Sequence, residues 1–273
     1  MNVLSKALPL SFAAIGLFSV LPAHAQDGVD ADRFVLRLGA IQADSQTRLK
    51  GNVDFGGQTY RYTSDRFDAD DEVAPRVEGI FRFSERNRLL FNYFQYDKKN
   101  RATLGEDVTF GDTTIPAGSF AKSKVEFDLG SVMYDYAVVE TPTVSLGLQV
   151  GAEWARLKGN VYATDGTESF ESTESESGVA PVVGARFSAN TEDRKWGFTV
   201  QGQYLDADWG DFDDYKGDIS RANALVEYRF TKNFGLYAGY DWFKLNVKRE
   251  YGDGSVGLDQ RFKGPTAGVT LAF

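Results

Sequence analysis

The sequence predicts an all-β chain: an up-and-down antiparallel β-barrel of about ten strands that crosses a membrane with its strands. Three observations predict it. Apolar side chains recur at every second position from Arg33 to the end of the chain; short polar turns alternate with long Gly/Asp/Ser-rich connections; and no stretch after Gln26 is apolar for the ~18 residues that a spanning helix needs.

The first 26 residues, MNVLSKALPLSFAAIGLFSVLPAHAQ, have Lys6, an apolar run from Ala7 to Leu21, and then Ala23-His24-Ala25. That order predicts a secretory signal peptide over 1–25, cleaved before Gln26, and a single barrel domain over 26–273. Removing Lys6 and His24 leaves 29 basic and 39 acidic side chains, a net charge of about −10 and no histidine. Such acidity argues against nucleic acid as a partner. Cysteine is absent, so neither a disulfide nor a lipid on cysteine is available.

Strands are expected near 33–43, 75–84, 87–98, 122–139, 143–157, 178–190, 195–206, 219–231, 233–247 and 259–273. VSLGLQVGAEW sets Val144, Leu146, Leu148, Val150, Ala152 and Trp154 against Ser145, Gly147, Gln149, Gly151 and Glu153. WGFTVQGQY and RANALVEYRF alternate in the same way. Short turns fall at 84–87, 140–143, 192–195 and 231–233, and long connections at roughly 44–74, 99–122, 158–178, 207–218 and 248–258. Four turns and five loops make ten strands, with both chain ends on the short-turn side. Misreading one loop hairpin would change the count to eight or twelve. Two segments resist the pattern. In KVEFDLGSVMYDYAVV the outward set shifts from Val125, Phe127 and Leu129 to Val132, Tyr134 and Tyr136, which predicts a bulge near Gly130. RLLFNYFQY is apolar on both faces, and its facing stays open.

In the last strand, Ala267, Val269, Leu271 and Phe273 oppose Thr266, Gly268, Thr270 and Ala272. A terminal Phe behind alternating apolar residues resembles the assembly signal of bacterial outer-membrane β-barrel proteins, carried here by Val269, Leu271 and Phe273. The resemblance implies a Gram-negative outer membrane, contact with its lipid and lipopolysaccharide, and handling by the barrel-assembly machinery during insertion. Aromatic residues crowd the short-turn ends (Phe34, Phe83, Phe187, Trp196, Phe198, Tyr228, Phe230, Phe234 and Phe273), as an interfacial girdle requires. A soluble barrel with its apolar face inward is the rival fold. It would put Lys, Glu and Asp on the opposite face, where this chain has Gly147, Gly151, Gly184, Gly235, Gly239, Gly264 and Gly268.

With the apolar face in lipid, the lumen receives Arg37, Arg76, Arg82, Arg186, Arg221 and Arg229, and against them Glu78, Glu126, Asp128, Glu153, Glu227 and Asp241. Six cations and six anions in a narrow interior predict a salt-bridge network in place of a selectivity filter, which would favour one sign. Barrels of ~8 strands are filled by side chains, whereas water-filled porins have ~16. The expectation is a plugged or very narrow barrel acting as a surface-exposed structural, adhesion or envelope-stabilising protein. The alternative is a narrow, porin-like passive channel for small solutes.

Extracellular ligands would meet the hairpin-like loops NVDFGGQTYRY, DVTFGDTTIPAGSF and VYATDGTESF. DADWGDFDDY places Asp206, Asp208, Asp211, Asp213 and Asp214 close together, oxygen ligands that would suit surface-bound calcium or magnesium. It is not an EF-hand loop, because Gly210 comes one place early and Gly217 stands where a glutamate should. No other cofactor is expected. Catalysis is not expected either: ten-stranded omptin proteases depend on an Asp–His pair, barrel lipases and deacylases use histidine, and cysteine is missing too.

Overall fold

The computed structural model describes residues 32–55, 58–63, 67–103, 108–110, 113–116, 118–164, 169–206, 210, 215–251 and 254–273. The expected signal peptide lies outside the described residues, as do Asp208, Asp211, Asp213 and Asp214.

Ten strands form the wall: β1 (Phe34–Phe55), β3 (Phe67–Arg82), β4 (Asn87–Thr103), β7 (Phe120–Glu140), β8 (Val144–Thr164), β9 (Ser169–Asn190), β10 (Trp196–Asp206), β11 (Tyr215–Arg229), β12 (Phe234–Tyr251) and β13 (Gly254–Ala272). Each pairs antiparallel with its sequence neighbour in the wall, and β13 returns to pair with β1, so the sheet has no free edge in the membrane. At this seam Leu36 faces Leu271 and Gly39 faces Gly268. Phe273 completes it: its carbonyl accepts from the Arg33 and Phe34 amides (2.7 and 3.0 Å), and its amide donates to the Phe34 carbonyl (2.8 Å). Two hairpin pieces lie outside the wall, β2 (Gln58–Thr63) folding back on β1, and β5 (Val108–Phe110) pairing with β6 (Thr113–Ile115).

Several strands are longer than expected. The wall strands continue into segments such as 44–55 and 158–164, which the sequence offers as loops. Ladder hydrogen bonds do not require apolar side chains, so a strand that leaves the membrane loses its hydropathy signal and keeps its backbone pairing.

The four short turns share one device. Ser84, Thr141, Thr191 and Thr231 each turn a hydroxyl oxygen to the amide that opens the next strand: Asn87 (3.2 Å), Val144 (2.9 Å), Trp196 (3.1 Å) and Phe234 (3.0 Å). The hydroxyl satisfies a donor that the tight reversal would otherwise strand. In the third turn Arg194 takes a φ of 54°. There the Thr191 hydroxyl and the Lys195 amide hold the Asp193 carboxyl below the usual carboxylate range.

Facing follows from the register. Outward positions from the short turns upward read Phe234, Leu236, Ala238, Tyr240, Trp242 on β12, and Val144, Leu146, Leu148, Val150, Ala152, Trp154 on β8. Leu148, Val150, Phe187, Val226, Leu236 and Tyr240 stand exposed, where a soluble barrel would bury its large apolar side chains.

The bulge expected at Gly130 is absent: Gly130 faces Tyr93 on one side and Trp154 on the other in unbroken register. The irregularity in β7 lies between Ala137 and Val139. Phe127 and Leu129 therefore point inward with Ser131, Met133 and Asp135, contrary to the sequence reading, and all five are buried. The same parity settles β4, whose Leu90, Asn92, Phe94 and Tyr96 face the lumen while Leu89, Phe91 and Tyr93 face out.

Candidate functional site in the barrel lumen

The half of the lumen nearest the short turns is crossed by ion pairs. On the β1–β3–β11–β12 side, Arg37 meets Glu227 at 3.1 Å and Glu78 at 3.9 Å, and Arg76 joins Glu78 (2.5 Å) to Asp241. Arg229 joins Glu227 (2.8 Å) to Asp32, and the Thr270 hydroxyl donates to Glu227 at 3.0 Å. Across the barrel, Asp135 accepts from Arg186 (2.8 and 3.1 Å) and lies 3.3 Å from Arg88, while Glu140 takes Arg88 (2.6 Å) and Arg82 (3.0 Å). Arg221 bonds Glu153 (2.9 Å) and Gln203; Gln203 reaches Gln149 (3.1 Å), which donates to Asp135 (3.1 Å) and ties the clusters together.

Seven arginines thus oppose seven carboxylates: Arg37, Arg76, Arg82, Arg88, Arg186, Arg221 and Arg229 against Asp32, Glu78, Asp135, Glu140, Glu153, Glu227 and Asp241. Arginine suits this role because its planar fork can satisfy two carboxylates at once. Two inward glycines make room for the side chains. A Cβ on Gly147 would lie 2.5 Å from the Asp135 carboxylate, and one on Gly39 would strike both the Tyr237 hydroxyl and the Ala267 carbonyl.

Above the ion pairs lies an apolar plug that the sequence reading did not anticipate. Phe262 packs on Tyr96, Phe243, Phe127 and Phe94 with ring centroids 4.7, 5.6, 6.1 and 6.3 Å away, and the cluster includes Ile41, Leu129, Leu205, Ile219 and Leu245. Between the two layers remains a cavity of about 30 Å³ bordered by Arg76, Asn92, Phe94, Arg221, Asp241 and Phe262, room for about two waters. Asn92 Oδ1 and Asp241 Oδ2, buried without a protein partner, belong to residues that border it.

Of the twelve charged residues the sequence assigned to the lumen, the structure brings ten together there: Arg37, Arg76, Glu78, Arg82, Glu153, Arg186, Arg221, Glu227, Arg229 and Asp241. Glu126 and Asp128 do not join them. With no bulge at Gly130 their parity is opposite to Phe127 and Leu129, so both lie on the outer face, Glu126 beside Lys124 and Lys158, and Asp128 beside Arg156 and Tyr93. The sequence reading missed Asp32, Arg88, Asp135 and Glu140. The signal for Asp135 was present, since it alternates with Tyr134 and Tyr136, already read as outward; Glu140 hides behind the irregularity at Ala137/Val139.

Asp206 sits on the outer face opposite Asp218, with the Tyr204 hydroxyl 3.4 Å away. Its companions in the expected cation site lie outside the described residues, and no group of three or more potential metal ligands gathers among those described.

Outside, each wall strand carries about five uncharged positions before the first charge. On β12 the step from Trp242 to Lys244 marks that limit, on β8 the step from Trp154 to Arg156, and on β13 the step from Pro265 to Lys263. Phe234 to Trp242 is eight residue steps, roughly 26 Å along the strand and ~20 Å along the membrane normal at a tilt near 40°. Phe83, Trp196, Phe230, Phe234 and Phe273 stand exposed at the short-turn rim, where Trp196–Tyr228 and Tyr228–Phe230 pack at 4.7 and 5.0 Å. A closed barrel with an uncharged outer band is an integral outer-membrane β-barrel.

No family model matches the sequence, and no curated protein matches it. Among solved structures, the chain is similar to the outer-membrane protease OmpT of Escherichia coli, at 10% identity over 91% of this chain and 99% of that one, TM-score 0.49. It is similar to the outer-membrane protein OprG of Pseudomonas aeruginosa at 12% identity, 90% and 98% coverage, TM-score 0.40. The figures for Ail, the attachment invasion locus protein of Yersinia pestis, are 13%, 84% and 98%, TM-score 0.26. At these values the likeness concerns fold alone, and no functional argument rests on it.

Proposed function

We propose that the protein is a closed outer-membrane barrel, a non-enzymatic anchor that holds its extracellular hairpins at the cell surface for structural, adhesive or envelope-stabilising contact. The observation that carries this reading is the double closure of the lumen: a balanced layer of seven arginines and seven carboxylates, then an aromatic layer centred on Phe262, with about 30 Å³ between them. A hydrated ion passing inward would have to part the rings and then break buried ion pairs, each break costing about 3–5 kcal/mol. Strands that continue beyond the uncharged band, such as β1 and β8, supply rigid stems for the loops. The C-terminal Val269, Leu271 and Phe273 fit the role of insertion signal, with Phe273 hydrogen-bonded at the seam.

Single-channel recording of the refolded chain in planar bilayers tests the reading. The expected trace is flat at physiological voltage; reproducible conductance steps from pure protein would sink the anchor reading and favour the solute channel.

A further inference from the structure

Two ladders in the wall stop while a strand runs on. β3 and β4 pair from Arg82 opposite Arg88 up to Arg76 opposite Phe94, and β9 and β10 from Asn190 opposite Gly197 up to Val182 opposite Leu205. The backbone phase gives the reason, because alternate residues of an antiparallel strand turn their N–H and C=O to opposite neighbours. The Arg82 amide donates to Arg33 and the Phe83 amide to Asn87, so odd residues of β3 face β4. The Asn190 amide donates to Thr143 and the Thr191 amide to Trp196, so odd residues of β9 face β10. The next rungs fall to residues 75 and 181, and both are prolines, which have no N–H to give.

The first gap is bridged by Lys98 and Glu72 at 3.6 Å. At the second, a Cβ added to Gly210 would lie 2.3 Å from the Val179 carbonyl, so the β10–β11 connection passes β9 there. Beyond that point β9 stays paired with β8 as far as Ser169 opposite Thr164. Glu171, Thr173, Ser175 and Ser177 are exposed and turn their N–H and C=O away from β8, where no described strand pairs with them. β6 comes close to β9 and pairs only with β5. Ser177 lies opposite Arg156, the first charge above the uncharged band on β8, so this row stands outside the membrane.

We propose that this edge of β9 docks an extended basic peptide of a partner protein, which adds to the sheet as a further strand. The proposal names a partner class for the surface contact proposed above and rests on that part of the reading. An edge of alternating donors and acceptors, repeating every ~6.6 Å, is matched by another extended backbone. Glu171 to Ser177 is six residue steps, ~20 Å, the reach of a peptide of about seven residues. The ladder to β8 already holds the edge straight, so the ordering cost falls on the peptide alone. Charge selects the class. Residues 169–181 include Glu171, Glu174 and Glu176 and no lysine or arginine, and Asp206 and Asp218 stand opposite each other at the end of β10. The β8 cations beside this edge, Arg156 and Lys158, are held by Asp128 and Glu126. A second copy of β9 is a poor occupant, because antiparallel pairing would set glutamates against glutamates.

The test uses the full chain folded in micelles and three nine-residue peptides: one alternating valine and lysine, one with glutamate in place of lysine, and the basic one N-methylated at every second amide. N-methylation keeps the charge and prevents strand addition. The unmodified basic peptide is expected to bind at least tenfold more tightly than either other. Amide exchange followed by NMR locates it. In the protein alone the Thr173, Ser175 and Ser177 amides should exchange at least tenfold faster than those of Ser172, Glu174 and Glu176, which face β8, and the bound peptide should slow the odd set only. Ser175→Pro removes an edge donor and no rung to β8, and should weaken binding at least fivefold. Equal binding of the N-methylated or acidic peptide, odd amides already protected in the protein alone, or unchanged affinity in Ser175→Pro would overturn the proposal. Should that variant not refold, the exchange pattern of the unaltered protein decides. These readouts are separate from conductance: a silent barrel that ignores the peptide keeps the anchor reading and loses this partner, and a conducting barrel that binds it does the reverse.

Discussion

Asp135→Asn is the sharpest probe of the ionic layer. Asp135 is 0% exposed and receives Arg186 Nε and Nη2 (3.1 and 2.8 Å), Arg88 Nη1 (3.3 Å) and Gln149 Nε2 (3.1 Å). Asparagine fills the same volume, yet it removes the charge and turns an amide donor toward two guanidinium groups. Its local cluster changes from three arginines against two carboxylates to three against Glu140 alone. A charge pair ~4 Å apart at an effective dielectric of about 20 is worth about 4 kcal/mol, and removing one partner of a buried pair costs about 3–5 kcal/mol. The expected loss is therefore about 3–5 kcal/mol, read from urea unfolding of the detergent-folded barrel by tryptophan emission and by the gel shift of heated against unheated protein. Glu192→Gln, in the exposed third turn, is the control and should stay within about 0.5 kcal/mol. A loss below about 1 kcal/mol for Asp135→Asn would refute the claim that these charges depend on one another.

Gly147→Ala should cost about 1–3 kcal/mol in the same assay, because the new methyl would lie 2.5 Å from a carboxylate that two arginines hold in place. Tyr237→Phe should be neutral or slightly stabilising, since the Tyr237 hydroxyl is buried with no hydrogen-bond partner while the ring stays packed over Gly39 and Gly268. Phe262→Ala should cost about 3–5 kcal/mol by emptying the centre of the aromatic layer. It should nevertheless leave planar bilayers silent, because the ion pairs beneath still close the lumen; steps from this single variant would place the seal in the aromatic layer alone.

Much of the architecture was legible in the primary structure because the membrane imposes a one-dimensional rule. A strand crossing lipid needs an uncharged side chain at every second position for about ten residues, so Val144 to Trp154 announce both their secondary structure and their facing. The short turns announce the connectivity through their hydroxyl and proline residues. The rule fails where the interior is also apolar. Leu90, Phe94, Tyr96 and Phe127 obey the same two-residue period as their lipid-facing neighbours, and a hydropathy pattern cannot tell a ring packed against Phe262 from one packed against an acyl chain. One imagined bulge at Gly130 was enough to invert Phe127, Leu129, Glu126 and Asp128 together.

Strand number, order, sidedness and most of the lumen's arginines were thus determined by the sequence itself, because burial in hydrocarbon acts on each residue by its position in its own strand. Which charges meet across the seam was decided only by closure. Arg76 reaches Asp241 across 165 residues and Arg229 reaches Asp32 across 197. Those pairings depend on the stagger with which β13 meets β1, a property of the whole ring that no single segment encodes.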